Sequence, residues 1–267
     1  MKSVRANGIN IAYEDYGSGP PLLLLHGFSL DHSMWAAQTG ELQRSYRLIV
    51  PDLRGLGESE NPPEPFSIET MADDAAALLE AIDISAAAVA GFSLGGYTLL
   101  QLLARHPLKV RAAAFVSTRA AADSAEAQER RVKTMRFVID EGMEPFADAF
   151  IPQLFDPAYI SAHPREVAQT QNVIEGQRPD SIALLLGAMR QRADMSSYLE
   201  NFNLPCVVIG GIADALVPAQ EMRDLQEGLP DCTIELIEGV GHMSPVEAPA
   251  QVSFQLDQLM QRAGMWM

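Results

Sequence analysis

The chain repeatedly sets a short apolar run against a segment of helical periodicity, and that alternation narrows its possible folds more than any other feature. Strand-like runs stand at Leu22–Leu25, Tyr46–Val50, Ala86–Ala90, Ala112–Val116, Cys206–Ile209 and Thr233–Ile237. Runs of this kind, apolar rather than alternating, suit parallel strands covered on both faces. Between them Ile68, Met71, Ala75, Leu78, Leu79 and Ile82 repeat at helical spacing, as do Leu99, Leu102 and Leu103, and later Val252, Leu256, Leu259 and Met260. Strand and helix in alternation argue for a mostly parallel α/β sheet flanked by helices. Ahead of these, Ser3–Ala6 and Ile9–Tyr16 flank the dipeptide "NG" and predict an opening antiparallel hairpin.

The rhythm breaks once. From about Arg119 to Leu204 no strand pattern is found, only helix-like stretches interrupted by Pro145, Pro152, Pro157, Pro164 and Pro179. A structureless loop of that length does not belong in a compact domain. The interval therefore reads as a helical cap inserted between two strands. The expected organisation is a core over residues 1–118, a cap over 119–203 and a second part of the core over 204–267. The cap carries Met135, Met143, Met189 and Met195 with Phe137, Phe146, Phe150, Phe155 and Tyr159. Such residues serve as plain core or as the roof of an apolar pocket.

With 267 residues, 48% of them hydrophobic, the chain can bury a full core. Nineteen Lys and Arg stand against 35 Asp and Glu, a net charge of −16. Such a surface is repelled by phosphate backbones and anionic lipids, so nucleic acid and membranes are not expected partners. The opening "MKSVRANGIN" holds no apolar signal region, and "LLLL" is far too short to span a bilayer. A cytoplasmic protein is expected, with a homodimer left open. Cys206 and Cys232 form no metal-binding spacing and read as buried, reduced thiols. The five histidines make no HxH or HExxH pattern, so neither metal nor cofactor is expected.

"GFSLGG", Gly91 to Gly96, follows the run "AAAVA" and opens a helical pattern. It fits G-x-S-x-G, in which a sharp strand-to-helix turn presents a serine hydroxyl. Ser93 is the candidate nucleophile, and the Leu94 N–H a donor to a developing oxyanion. The motif predicts further parts in a set chain order. "LLLLHGF" ends an early strand and offers the Phe28 N–H as second donor, with His26 read as a loop-shaping residue. "CVVIGGIADALVP" puts Asp214 in the turn after a late strand. "EGVGHMSPVEAP" puts His242 after the last strand. Asp123, after the Ala112–Val116 run, is a rival acid; the order Ser, Asp, His favours Asp214. All these parts fall at carboxyl ends of predicted parallel strands, where open α/β sheets build their sites.

Taken together, the chain resembles enzymes of the α/β-hydrolase fold over nearly its whole length. "PDLRGLGESENP" resembles that family's D-x-R-G-x-G-x-S loop, "GHMSPVEAP" its histidine loop, and "LARHPLKVRAAAFVST" the segment after its elbow helix. The resemblance implies an eight-stranded sheet and gives Asp52 and Arg54 structural rather than chemical roles. "SLDHSMW" and "STRAAADSAEA" resemble the carboxylesterase and lactonase branch, near the 3-oxoadipate enol-lactonases, with acyl-homoserine lactone hydrolases sharing the layout. The activity so implied is hydrolysis of short-to-medium acyl esters and lactones by Ser93, Asp214 and His242. Trp35, Phe28, Met135, Phe155, Met189 and Met243 are candidate pocket residues, Trp35 equally a helix residue packed on the sheet. The Met- and Phe-rich cap suits an apolar acyl chain better than a dicarboxylate, although Arg119, Arg190 and Arg192 keep a second carboxylate in view. A C–C bond hydrolase, a cofactor-free perhydrolase and a catalytically silent ligand-binding relative would share these residues.

Overall fold

Asn7 and Gly8 take φ of 44° and 82°, the paired positive values that a two-residue hairpin turn of the I′ kind requires. They join β1 (Lys2–Ala6) to β2 (Ile9–Tyr16) as an antiparallel pair in the computed structural model, which describes residues 1–62 and 64–265. The remaining strands are β3 (Pro21–Leu25), β4 (Arg47–Pro51), β5 (Ala87–Phe92), β6 (Val110–Val116), β7 (Cys206–Gly211) and β8 (Cys232–Ile237). They form one eight-stranded sheet in the order β1-β2-β4-β3-β5-β6-β7-β8. Strand β2 pairs antiparallel with both β1 and β4, and every pairing from β4 across to β8 is parallel.

The apolar runs are buried on both faces. Leu22 to Leu25 in β3, Ala87 to Ala90 in β5 and Ala112 to Val116 in β6 have no solvent exposure. Each leucine so buried contributes about 1.5–3 kcal/mol of transfer free energy. The many alanines of β5 and β6 let the helices approach the middle of the sheet closely. Flanking it in chain order are α1 (Ala36–Leu42), α2 (Ile68–Ala81) and α3 (Leu94–Arg105), and after β7 α9 (Ala219–Gly228), α10 (Ser244–Glu247) and α11 (Pro249–Arg262). Helix α2 packs on α3, and α1 on α11. Helix α2 opens on a reciprocal cap: Thr70 N–H donates to Ser67 Oγ, and Ser67 N–H to Thr70 Oγ1.

Between β6 and β7 stand five helices: α4 (Ala125–Glu141), α5 (Met143–Leu154), α6 (Pro157–Ala162), α7 (Pro164–Glu175) and α8 (Pro179–Gln191). The prolines that interrupt the helical pattern here mostly start helices. Pro157, Pro164 and Pro179 each occupy the first position of their helix, where no N–H is needed and the fixed φ already suits the turn. Pro152 lies inside α5, three residues from its end. Among the described residues the segment between β6 and β7 holds no strand.

The two cysteines lie side by side, Cys206 opposite Cys232 in the β7–β8 register. Only Cys206 is fully buried; Cys232 is partly exposed because β8 is the edge strand. Both are free thiols, and burial pushes that of Cys232 up to about 12.

Beneath the loop after β4, Arg54 donates two hydrogen bonds to Asp74, at 2.7 and 2.5 Å, and both side chains are 7% exposed. Asn7 of the hairpin turn donates to the same carboxylate at 2.7 Å. Asp74 thus ties the opening hairpin, the β4 loop and α2 together. Replacing it by alanine strands a buried guanidinium, and Asp74→Ala is expected to lower unfolding free energy by about 3 kcal/mol in urea titrations. A loss below about 1 kcal/mol would show that water reaches Arg54.

Candidate active site

Strand β5 runs directly into Ser93, whose φ of 51° and ψ of −108° belong to neither strand nor helix. The reversal into α3 presses backbone against backbone. A Cβ on Gly91 would stand 2.3 Å from the Gly95 carbonyl oxygen, and one on Gly95 2.3 Å from that of Leu25. Only glycine fits at both places. Ser93 N–H donates to the Val116 carbonyl at 2.9 Å, and Thr118 Oγ1 donates to the Ser93 carbonyl at 2.9 Å. These contacts hold a conformation that costs a serine about 1–3 kcal/mol. Ser93 becomes the N-cap of the twelve-residue α3, at the positive end of its dipole.

Leu94 is the first residue of α3, so its N–H lacks a partner within the helix. Phe28 follows the end of β3, in a turn closed by Leu30 N–H on the Gly27 carbonyl. Among the described residues neither the Phe28 nor the Leu94 N–H is donated to another backbone group. His26, fully buried, shapes the turn. Its Nε2 accepts the Leu53 N–H at 2.8 Å, so Nδ1 carries the proton and donates to the Gly27 carbonyl at 2.8 Å. Burial pushes its pKa down and keeps the ring neutral. Asp52 and Arg54 likewise hold loops: Asp52 accepts from the His32 and Glu58 N–H groups.

On the far side of β5 two loops are pressed together. A Cβ on Gly211, at the end of β7, would stand 2.0 Å from the Val240 carbonyl oxygen of the loop after β8. This contact brings Asp214 and His242 together, with Asp214 Oδ2 2.7 Å from His242 Nδ1. Asp214 Oδ1 accepts the Leu216 and Val217 N–H groups at 2.8 and 2.9 Å, so both carboxylate oxygens are committed. The arrangement sets Nδ1–H toward the carboxylate and leaves His242 Nε2 as a proton acceptor. The Phe92 ring lies against the imidazole, centroids 5.0 Å apart.

Ser93 and His242 line one cavity of about 640 Å³ between the sheet edge and the cap. Phe28, Phe146 and Phe150 form a cluster in its wall, the Phe28 ring edge-on to the other two at 6.1 and 6.0 Å. Of the expected pocket residues Phe28 and Met189 line it. Trp35 is fully buried and packs within the core, and so is Met243, whose N–H donates to the Leu154 carbonyl. Phe155 turns away to stack on Tyr159 at 5.6 Å. Met135 faces Gly187 of α8 instead. Which way each of these side chains points is set by tertiary packing, which sequence periodicity does not resolve.

Asp123, the rival acid, is far from idle. Its buried carboxylate receives Arg119 Nη2 at 2.9 Å, Arg192 Nη1 at 2.6 Å and the Arg131 guanidinium. It ties the exit of β6 to α4 and the end of α8. Arg190, by contrast, is exposed on α8. Glu247 was not foreseen: its Oε2 accepts the Gly241 N–H at 3.1 Å and the Asp156 N–H at 2.9 Å, fastening the histidine loop to the cap. Its signal lay in "GHMSPVEAP", read only for the histidine. Among the described residues no cluster of three or more His, Cys, Asp or Glu could hold a metal, and no helix is long and apolar enough to cross a membrane.

Comparison with known proteins adds the lineage. A family model described as the alpha/beta hydrolase fold matches residues 20–155. A thermophilic esterase from Thermogutta terrifontis superposes with a TM-score of 0.95 at 32% identity, covering 98% of this chain and 99% of that one. The enol-lactonase from Burkholderia xenovorans superposes at 0.91 with 26% identity, over 97% of this chain and all of the other. In sequence, a 3-oxoadipate enol-lactonase of Acinetobacter baylyi is 26% identical over 97% of this chain and 96% of its own length.

The Asp123 cluster carries a pH signature. Burial alone would raise this carboxyl; Arg131 and Arg192 overcome it and hold the group at about 2, below its ordinary 3.8. A group so depressed in the folded state stabilises the fold above about pH 4, and that stability is lost as pH falls through about 2. Asp123→Asn should therefore be less stable at neutral pH and show a flatter fall in Tm between pH 4 and 2, read by thermal melts.

Proposed function

The chain belongs to the α/β-hydrolase family, and on that footing we propose that it is a serine hydrolase of carboxylic esters, including lactones, working through an acyl-enzyme. What carries the reading is the Asp214–His242 pair, with its free ring nitrogen facing the same cavity as Ser93 on its strained turn. In this reading His242 Nε2 takes the proton from Ser93 Oγ as the oxygen attacks the ester carbonyl. Asp214 holds the imidazole in the required tautomer and stabilises the imidazolium. The Phe28 and Leu94 N–H groups receive the oxyanion, each lowering the barrier by about 3 kcal/mol. His242 then returns the proton to the leaving alkoxide, and water, activated by the same ring, releases the acid.

Support also comes from what the cavity offers. It has the size of an ordinary small-molecule site, and its Phe28, Phe146 and Phe150 cluster suits an acyl chain. The esterase and enol-lactonase likenesses agree with ester and lactone chemistry. The reading needs neither metal nor cofactor, and takes residues 119–203 as a cap over a core formed by 1–118 and 204–267.

Ser93→Ala should lower steady-state hydrolysis of p-nitrophenyl butyrate by at least about 10³-fold while leaving the fold intact. Asp214→Asn should lower kcat by a comparable factor at little cost in KM, and Asp123→Asn by far less. Wild-type rates in Ser93→Ala would refute the mechanism. A single stoichiometric burst followed by arrest in the wild type would assign the chain to binding rather than turnover.

A further inference from the structure

The residue just ahead of the proposed base is a glycine, the residue type least able to hold a backbone direction by itself. Gly241 nevertheless belongs to a peptide unit held at both ends. The Val240 carbonyl accepts the Ala213 N–H at 2.9 Å, next to Asp214, and the Gly241 N–H donates to Glu247 Oε2 at 3.1 Å. The plane that leads into His242 is thus tied on one side to the loop after β7 and on the other to Glu247. The same Oε2 accepts the Asp156 N–H at 2.9 Å, at the junction of α5 and α6. The fit is close: a Cβ on Gly241 would stand 2.6 Å from the Asp156 nitrogen and 2.8 Å from the Phe155 carbonyl carbon.

Other fastenings of this loop act after the histidine. Met243 N–H donates to the Leu154 carbonyl, Tyr159 Oη to that of Val246 and Gln38 Nε2 to that of Pro245, and Ser244 Oγ lies 3.0 Å from Ser117 Oγ. Of all these contacts only the Glu247 one reaches back across His242 to the residue before it. A carboxyl in this place carries a cost. Its Oε1 is buried with no donor among the described residues. Burial pushes the group above its ordinary pKa, against the pull of the Asp156 and Gly241 N–H groups. Four other hydrogen bonds already close the loop, so closure does not account for it. Local costs of this kind gather where a site needs them.

We infer that Glu247 is a positioning residue for the base: its Oε2, bonded at once to Gly241 and to the cap backbone at Asp156, fixes the peptide plane before His242 and so aims Nε2 at Ser93. The inference rests on the hydrolase reading above and adds a residue to its machinery without changing the chemistry. Glu247 does not line the cavity, and its partners are backbone N–H groups, so it acts through Gly241 and not on the substrate. Asp214 sets the tautomer and the tilt at Nδ1; Glu247 sets where the backbone carries the ring. Losing it frees a glycine. A ring displaced by about 1 Å takes the Ser93 proton poorly, while the cavity still binds ester.

The test compares Glu247→Ala, Glu247→Gln, Glu247→Asp and Tyr159→Phe in p-nitrophenyl butyrate turnover, thermal stability and the downfield proton resonance of His242 Nδ1–H. Glu247→Ala should lower kcat about thirtyfold with KM within about twofold, and should broaden or shift that resonance. The amide keeps an acceptor oxygen at full reach, so Glu247→Gln should return kcat to within about threefold of wild type. Aspartate keeps the charge but falls a methylene short, so Glu247→Asp should resemble Glu247→Ala. Tyr159→Phe removes a fastening beyond the histidine and should lower Tm with kcat within about twofold of wild type. Wild-type kcat and resonance in Glu247→Ala overturn the inference, as do kcat losses that follow Tm alike in Glu247→Ala and Tyr159→Phe. Should Glu247→Ala not fold, equal kcat in Glu247→Gln and Glu247→Asp overturns it equally. Absence of Ser93-dependent turnover in the wild type would remove the hydrolase reading, and the His242 resonance would then decide whether Glu247 places the ring.

Discussion

A crowding of backbone at the exit of β5 governs the rest of the site. Gly95 lies so close to the Leu25 carbonyl, and Gly91 to that of Gly95, that a single methyl group at either place would meet an oxygen at 2.3 Å. That proximity places the end of β3, the Ser93 turn and the first turn of α3 in one small volume. Consequently the segment after β3, which carries Phe28, and the first turn of α3, which begins at Leu94, are held against each other by tertiary packing alone. Loosening the contact would remove the constraint that holds Ser93 at its positive φ.

A second close approach completes the frame on the other flank. Gly211 against Val240 brings the loops after β7 and β8 together, and the Asp214 carboxylate then joins the His242 ring to the Leu216 and Val217 backbone. Glu247 extends the same loop to Asp156 at the junction of α5 and α6. The histidine is therefore positioned from both sides, by the sheet through Asp214 and by the cap through Glu247.

The buried acids are satisfied in different ways. Asp52 and Asp214 meet backbone N–H groups and a histidine ring nitrogen, and Asp74 meets the Arg54 guanidinium. On the cap side buried Asp123 gathers three guanidiniums. In a protein with an excess of acidic residues, Arg119, Arg130, Arg131 and Lys133 nonetheless line the cavity, where no Asp or Glu does.

Much of this was legible in the residues themselves. Apolar runs with no polar face can only be interior parallel strands, and "NG" between two strand patterns can only turn one way, so the sheet and its hairpin followed from local physics. Glycines on both sides of Ser93, and a set order of serine, acid and histidine after successive strands, pointed to the same site because strand ends are where such a sheet exposes its loops. The pocket wall was not legible. Whether Met135 on α4, or Phe155 just after α5, faces a cavity depends on how those helices dock on their neighbours, and the cap pattern tolerates either. Nor could the sequence say that Arg192 joins Arg119 and Arg131 on Asp123, because it lies 69 positions from that carboxylate and only the docking of α4 on α8 brings them together. Local sequence decides which backbone shapes are allowed; long-range packing decides which side chains meet, and with them the charge and shape that a ligand encounters.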